Sequence, residues 1–204
     1  MKVSNDLGRM EVWNKFILDG NQDALSLVYF HYYDLLFDYG HKYTTDKQLV
    51  EDTIQDIFIY FMKHRKRIGI VKNLNGYLIS TFRRQLILDL KKQKKTILID
   101  QMPEEHFNYF KSQSQDISDS DNQELVHTTI KQCICKLTNK QQEIIFLRFE
   151  REISYEEIAK VLNISVDSCY KSIHRSIKTI RSEVEKTLGK GRSLILWFIS
   201  GSSI

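Results

Sequence analysis

A run of polar and basic side chains falls on one side of a predicted helix near the end of the chain. These residues are Asp167, Ser168, Tyr170, Lys171, His174, Arg175 and Lys178. Apolar residues recur at steps of four, four and three on the opposite side: Cys169, Ile173, Ile177 and Ile180. Because such polar side chains can bond to base edges and phosphates, the pattern indicates binding to duplex DNA.

The preceding segment predicts a shorter helix and a tight turn. Ser154 and Glu157 have the spacing of a capping box, in which each side chain accepts from the other's backbone N–H. Asn163 tolerates the left-handed conformation that ends many helices, and Ser165 is placed to cap the next helix. Two helices with such a turn are typical of a helix-turn-helix, whose second helix enters the major groove. An ordinary helical hairpin with a solvated basic face is the alternative.

An acidic group lies on a second predicted helix, over residues 46–64. Asp52, Gln55 and Asp56 share one face of it, away from the apolar residues. Paired carboxylates could act as general acid and base, but no histidine, lysine or metal-ligand motif converges on them in the sequence. The other interpretations are a solvated acidic face and a docking surface for a basic partner.

A third group is cationic and lies on a helix predicted over residues 77–95, after a polar turn at 73–76. Its basic residues are Arg83, Arg84, Lys91, Lys92, Lys94 and Lys95. Phosphates that meet such a ladder release their counterions, which favours binding to nucleic acid. The run Lys63–Arg67 either complements the dipole at a helix C-terminus or contacts phosphate.

The whole chain predicts an all-α fold. It has 204 residues, of which 42% are hydrophobic, with 8 Gly and a single Pro, so helix breakers are few. Further helices are expected over residues 10–20, 23–43 and 124–136, and the helix-turn-helix should continue to Leu188. Aromatic residues at helical spacing in 23–43 indicate a packed core rather than a cofactor site.

Charge divides the chain into parts. Residues 1–95 carry a net charge of +5, residues 96–127 carry −6, and residues 128–204 carry +5. We predict two small helical domains, 1–95 and 128–190, joined by a mobile acidic linker over 96–127 and followed by an apolar tail over 191–204. Two cationic modules on a tether suit a polyanionic ligand.

The cysteines and the apolar runs indicate the compartment in which the protein works and whether it binds metal or enters a membrane. Three cysteines without a paired framework fit a reducing cytosol, and Cys133 and Cys135 lack the second pair that a zinc site needs. We therefore expect a cytoplasmic protein with no metal and no cofactor. No apolar run reaches the roughly 18 residues of a membrane span, so no membrane insertion is expected. The apolar tail could fold back, pack on another chain or stay disordered.

Several of these motifs resemble the sigma-70 family of bacterial RNA polymerase sigma factors, and in particular its extracytoplasmic-function (ECF) class. The C-terminal motifs that carry the resemblance are Leu137–Gln142, Phe146–Phe149, Ser154–Ala159 and Leu162–Ser165. The N-terminal ones are Glu51–Phe58, Tyr77-Leu78, Arg83-Arg84 and Lys91-Lys92. The resemblance covers nearly the whole chain and implies a transcription initiation factor, not an enzyme.

The resemblance also implies roles for individual residues. Asp52, Gln55 and Asp56 would bind the clamp helices of the largest subunit of core RNA polymerase. Residues implied to bind the promoter −10 element are Asn73, Asn75, Tyr77, Arg83, Arg84, Lys91 and Lys92. Residues implied to bind the −35 element are Ser168, Tyr170, Lys171, Arg175, Arg148, Lys178 and Arg181. An anti-sigma factor is a further expected partner.

Two alternatives to a sigma factor are open at this point. A stand-alone helix-turn-helix repressor or activator would bind specific duplex tightly without polymerase, usually as a dimer on a palindrome. A phosphoryl-transfer or nuclease enzyme using Asp52 and Asp56 would depend on a divalent metal ion.

Overall fold

A computed structural model of the chain describes residues 3–69, 71–95, 107–109 and 129–188. All the regular secondary structure in those ranges is helical, which confirms the predicted all-α class. The chain divides into two compact units, Met1–Glu104 and Glu105–Ile204. Each unit buries its own set of large apolar side chains.

Within residues 3–69 and 71–95 of the N-terminal unit, four helices pack in sequence. They are α1 (Val3–Asp19), α2 (Gln22–His41), α3 (Lys47–His64) and α4 (Leu74–Lys95). Each helix packs on the next, and α4 also contacts α1 and α2, so the four close into a bundle. Asn21 and Asp46 cap α2 and α3 by accepting from the N–H groups of Ala24 and Leu49, at 2.9 and 3.1 Å.

The buried faces of α2 and α3 agree with the sequence pattern, with one exception. Five apolar residues at helical spacing predict the inward face of α3, and all five are buried: Val50, Ile54, Ile57, Phe58 and Phe61. On α2 the stripe of residues at helical spacing predicts Leu35 in the core, but Leu36 is fully buried and Leu35 is only half-buried. The prediction is wrong there because α2 contacts α1, α3 and α4, so its buried arc is wider than one stripe.

An aromatic cluster joins three of the helices. The Trp13 ring of α1 lies 5.4 Å from Phe61 of α3 and 5.9 Å from Tyr77 of α4, measured between ring centroids. Trp13 and Phe61 are among the most deeply buried side chains of the unit. Aromatic pairs at these separations contribute about 0.5–1.5 kcal/mol beyond their area, so the cluster fixes how α4 meets α1 and α3.

Gly40 lies where α2 packs closely on Val50 of α3 and Phe82 of α4. A Cβ atom added there would come within 2.6 Å of Val50 Cγ1 and 2.9 Å of Phe82 Cζ. We expect Gly40→Ala to lower the free energy of unfolding by about 1–3 kcal/mol, because overpacking outweighs the smaller gain in helix propensity. Chemical denaturation measures this change, and Gly8→Ala, whose added Cβ meets nothing within 4 Å, is the matched control. An equal effect of both substitutions would contradict the close crossing.

The described part of the C-terminal unit consists mainly of short helical segments and one long helix. The described part of α5 covers residues 129–135, followed by α6 (Asn139–Ile145), α7 (Tyr155–Val161) and α8 (Val166–Leu188). A π-helical turn, Phe146–Glu150, extends α6. Thr138 and Gln141 have the spacing of a capping box, and they form one at the start of α6. Helices α6 and α7 both pack on α8, burying Ile144, Phe146, Leu147, Ile158, Cys169 and Ile173.

Two aromatic residues of the predicted linker belong to this unit. Phe107 and Tyr109 are buried, and both rings lie against Phe146. The rest of the predicted linker up to residue 128, and the predicted apolar tail at 191–204, lie outside the described residues. The proposed domain boundaries therefore stay predictions, with an unexpected packing contact inside the linker segment.

Candidate nucleic-acid interface

The geometry of a helix-turn-helix is present at α7 and α8. Ser154 Oγ accepts from the Glu157 N–H at 3.2 Å, and the Glu157 carboxylate accepts from the Ser154 N–H at 2.8 Å, which confirms the capping box. Asn163 has a φ of 51°, the left-handed conformation that the sequence predicted. Ser165 Oγ accepts from the Ser168 N–H at 3.1 Å and so caps α8. Local bonds therefore cap the start of both helices.

The left-handed conformation of Asn163 leads to a prediction about the stability of the C-terminal unit. A branched side chain in this conformation costs about 1–2 kcal/mol, because its Cβ approaches the following carbonyl oxygen. We expect Asn163→Val to lower the free energy of unfolding of the C-terminal unit by that amount, whereas Asn163→Gly should keep or raise it. Thermal unfolding of the two variants measures the difference. A valine variant as stable as the glycine variant would mean that the turn is not left-handed in solution.

The polar face of α8 is open to solvent along its length. Its exposed residues include Ser168, Tyr170, Lys171, Arg175, Lys178 and Arg181. Lys171 Nζ lies 2.7 Å from an Asp167 carboxylate oxygen, so this cation is paired along the helix. Burial raises the pKa of the Cys169 thiol on the opposite face, which remains a neutral core group. The helix therefore presents one polar side while the other holds it to α6 and α7.

An aromatic stack links the two helices, and sequence reasoning did not predict it. The rings of Tyr155 and Tyr170 are stacked with centroids 3.9 Å apart. The Arg148 guanidinium lies 4.6 Å from the Tyr155 centroid, and its Nη1 donates to the Ile153 carbonyl at 3.2 Å. Arg148 therefore positions the helix-turn-helix through a cation–π contact. No periodic pattern could reveal this stack, because its members lie on three different segments.

The acidic group on α3 is exposed. Asp52, Gln55 and Asp56 lie on its outer side, and Ile59 extends the same face with 40% of its surface exposed. Asp52 accepts from Gln48 Nε2 at 2.8 Å, one turn earlier. Glu51 points elsewhere: it accepts from the Tyr33 hydroxyl at 3.3 Å, and burial with this carboxylate raises the pKa of Tyr33. The structure thus separates a structural carboxylate from a solvent-facing pair.

The segment predicted as a polar turn before α4 is already helical from Leu74. Asn73 Oδ1 accepts from the Gly76 N–H at 2.9 Å and caps the helix. The turn prediction over 73–76 is therefore wrong beyond Asn73, because this cap starts the helix three residues before Tyr77. Tyr32 donates its hydroxyl to Asn75 Oδ1, and burial raises the pKa of the half-buried Tyr77 hydroxyl. All three candidate base-binding side chains thus make contacts within the unit.

The cations of α4 fall into two groups. Arg83 is half-buried and its Nε donates to the Tyr43 hydroxyl at 3.1 Å, so it ties α4 to the end of α2. Arg84, Lys91 and Lys92 are exposed. Lys92 Nζ lies 3.0 Å from an Asp89 carboxylate oxygen, and Gln85 donates to the same carboxylate. The basic run after α3 also contains a structural cation, because Arg65 Nη1 donates to the Ile17 and Leu18 carbonyls at 2.8 and 3.0 Å.

The described residues form no metal site. Within 3–69, 71–95, 107–109 and 129–188, no group of three or more His, Cys, Asp or Glu side chains is arranged to hold a metal ion. Cys133 is buried and burial raises the pKa of its thiol, whereas Cys135 is exposed. In those same ranges, each helix is either too short or too polar for a bilayer span.

Two helical units, with a helix-turn-helix in the second and exposed cations on both, define a class of DNA-binding transcription proteins. Comparisons with known proteins narrow the class. Residues 28–96 match the family Sigma-70 region 2, and residues 127–180 match the family Sigma-70, region 4. The chain belongs to the sigma-70 family, in its ECF class, and it is a transcription initiation factor that directs RNA polymerase to promoters, not an enzyme.

Relatives of known identity cover most of the chain. The RNA polymerase sigma factor YlaC of Bacillus subtilis (strain 168) is 24% identical over 84% of this chain and 96% of its own length. The ECF RNA polymerase sigma factors SigX and SigW of the same organism are 23% and 25% identical, over 80% and 83% of this chain and 85% and 94% of their own lengths.

Solved structures share the fold. CnrH, in complex with the cytosolic domain of CnrY, matches with a TM-score of 0.56 and 17% identity over 87% of this chain and 97% of its own. The sigma factor RpoE, in complex with the anti-sigma factor NepR from Bartonella quintana, matches with a TM-score of 0.51 and 16% identity over 80% of this chain and 96% of its own.

Proposed function

We propose that the N-terminal unit docks on core RNA polymerase through Asp52, Gln55 and Asp56. The three side chains share the exposed face of α3, and their removal would leave the buried core untouched. Carboxylates accept charge-assisted hydrogen bonds from arginine, which fix orientation as well as add affinity. The clamp helices of the largest subunit, implied by the family resemblance, are the proposed partner surface.

The same unit contacts the promoter −10 region through α4. Arg84, Lys91 and Lys92 are exposed cations that would neutralise phosphates. Arg83 supports them from its contact with Tyr43. Capture of an unstacked base would fall to Asn73, Asn75 and Tyr77 at the start of α4, and it requires that the Tyr32 hydroxyl release Asn75.

The C-terminal unit reads the −35 element with α8. Ser168, Tyr170, Lys171 and Arg175 would face base edges, and Lys178 and Arg181 would contact phosphates. The proposed role of Arg148 changes with the structure: its guanidinium supports Tyr155 and Tyr170, so any phosphate contact comes from an already positioned group. The exposed polar face of α8, opposite the face that buries Cys169, Ile173 and Ile180, is the observation that carries the proposal.

The proposal also includes the domain limits and the compartment of the protein. The domain limits are 1–95 and 128–190, with 96–127 between them, and the protein acts in the cytoplasm where polymerase and promoters are.

An anti-sigma factor is a further partner, since a structurally similar sigma factor was solved with one. Leu27 and Phe30, 60% and 73% exposed on α2, offer an apolar surface for such a partner.

The test is reconstituted run-off transcription with core RNA polymerase on promoter fragments selected from a random library. We expect specific transcripts only when the chain is present, and protection of both the −35 and −10 regions in footprints. A stand-alone helix-turn-helix protein would protect one palindromic site without polymerase. Tight, specific protection by the chain alone, with no effect on polymerase, would overturn the proposal.

A further inference from the structure

Phe107 and Tyr109 form an aromatic contact with the C-terminal unit. Their side chains are 1% and 2% exposed, and their ring centroids lie 5.6 and 6.1 Å from that of Phe146. Phe146 begins the π-helical turn after α6 and is itself fully buried. The Arg151 guanidinium lies 5.1 Å from the Phe146 ring centroid. Two side chains from the predicted linker thus complete the core of a folded unit.

A backbone bond adds to this contact. The Tyr109 N–H donates to Gln142 Oε1 at 3.2 Å, and Gln142 Nε2 donates to the Leu137 carbonyl at 3.0 Å. Both groups of the buried Gln142 amide are therefore used, one to hold Tyr109 and the other to hold the start of α6. Burial and the neighbouring Glu150 carboxylate raise the pKa of the Tyr109 hydroxyl, which stays protonated.

This contact divides the connection between the two units. Upstream of it, only residues 96–106 join α4 to Phe107, and that stretch spans at most about 40 Å when fully extended. Without the contact, residues 96–128 would join α4 to α5 and could span about 115 Å. The sequence predicts a mobile connection. Once one unit is bound, the effective concentration of the other unit at its own site falls as roughly the −3/2 power of the tether length. A threefold longer tether therefore lowers that concentration about fivefold.

We infer that Phe107 and Tyr109 anchor the linker to the C-terminal unit, so that residues 96–106 alone set how far the two DNA-binding surfaces can separate. This inference rests on the proposed division of promoter reading between the units. The anchor acts as a specificity determinant: it narrows the range of spacer lengths between −35 and −10 elements that one molecule can bridge. Phe107 and Tyr109 are positioning residues and contact no DNA.

Matched insertions on either side of the anchor test this inference without touching the folded core. About ten Gly/Ser residues are inserted after Gln101 in one variant and after Ser118 in another. Spin labels on the exposed Cys135 and on Lys15→Cys report the distance between the units in the free protein. We expect the first insertion to lengthen and broaden the distance distribution and the second to leave it unchanged. Equal effects of the two insertions would overturn the anchor.

Substitution of the two anchor residues is a second test of the inference. In Phe107→Ala/Tyr109→Ala, both insertions should have the same effect, and the parent distance should broaden. Tyr109→Phe keeps the ring and the backbone bond and removes only the hydroxyl that bonds to Glu150, so it should keep the distance distribution of wild type. Thermal unfolding checks that the C-terminal unit stays folded, and if the double variant unfolds, the insertion pair decides alone.

A promoter series with varied spacers then reads the functional consequence. With wild type we expect one preferred spacer. With the insertion after Gln101, which roughly doubles the length of the 96–106 tether, we expect a broader range and about threefold weaker initiation at the optimum. The insertion after Ser118 should keep the wild-type profile. If wild type initiates from none of the promoters, the proposed function has failed and the spin-label distances still judge the anchor. If wild type initiates and both insertions broaden the range equally, the anchor is wrong.

Discussion

Asp52→Ala combined with Gln55→Ala should strongly weaken binding of the protein to core RNA polymerase while leaving both units folded. Both side chains are exposed on α3, and neither contributes to the buried core. Loss of hydrogen bonds from one ionised and one neutral group costs about 2–4 kcal/mol. That corresponds to roughly thirty- to thousandfold in the dissociation constant, which pull-down and fluorescence titration resolve.

The chain offers a matched control for this double substitution. Gln22 and Asp23 are the same residue types, equally exposed, in the first turn of α2. Gln22→Ala with Asp23→Ala removes the same charge and amide at a different surface, so polymerase binding should persist. Circular dichroism should show wild-type helix content for both pairs. Polymerase binding that survives the α3 pair, or falls equally with the α2 pair, would refute α3 as the docking surface.

Arg175→Ala should weaken binding to the −35 element by about 1–3 kcal/mol, or about five- to 150-fold, and relax the base preference at one position. Arg175 lies on the exposed side of α8, near the middle of the polar face that Ser168 and Tyr170 begin. A guanidinium can bond to two acceptors of guanine at once, which is the commonest specific contact in the major groove. Binding titrations on a set of single-base −35 variants measure both effects.

Two further substitutions separate base reading from phosphate contact. Arg175→Lys keeps the charge but loses the planar fork, so a base-reading arginine should lose specificity, whereas a phosphate-binding one should change little. Lys178→Ala should weaken binding to all sequences alike and reduce the slope of affinity against salt by about one. If Arg175→Ala weakens every sequence to the same degree and Arg175→Lys restores wild-type behaviour, Arg175 contacts phosphate and not a base.

Local features of the fold were predictable because they depend on residues a few positions apart. The capping boxes at Ser154 and Thr138, the left-handed Asn163 and the inward face of α3 all follow from such short spacings. The exposure of the candidate residues on α3 and α8 could also be predicted from the sequence, because a polar face opposite an apolar one is the outer face of a packed helix.

Contacts between residues far apart in the sequence could not be predicted. Asn75 stays a predicted −10 contact, but the sequence did not show that its amide oxygen accepts from Tyr32, 43 residues earlier. Arg148 stays a predicted −35 contact, but its place over Tyr155, which stacks on Tyr170, was not predicted. Arg65 belonged to a basic run and instead donates to the carbonyls at the end of α1.

The sequence alone determined four things about this protein: its helices, their caps, its family resemblance and its outward-facing charged groups. The tertiary structure alone decided which cations and amides have structural partners, and it placed Phe107 and Tyr109 in the core beside Phe146. The reason is physical: a cap or a helical face is set by the chain's own local geometry. The Tyr109–Gln142 bond joins residues 33 apart, and only the packed fold brings such groups together.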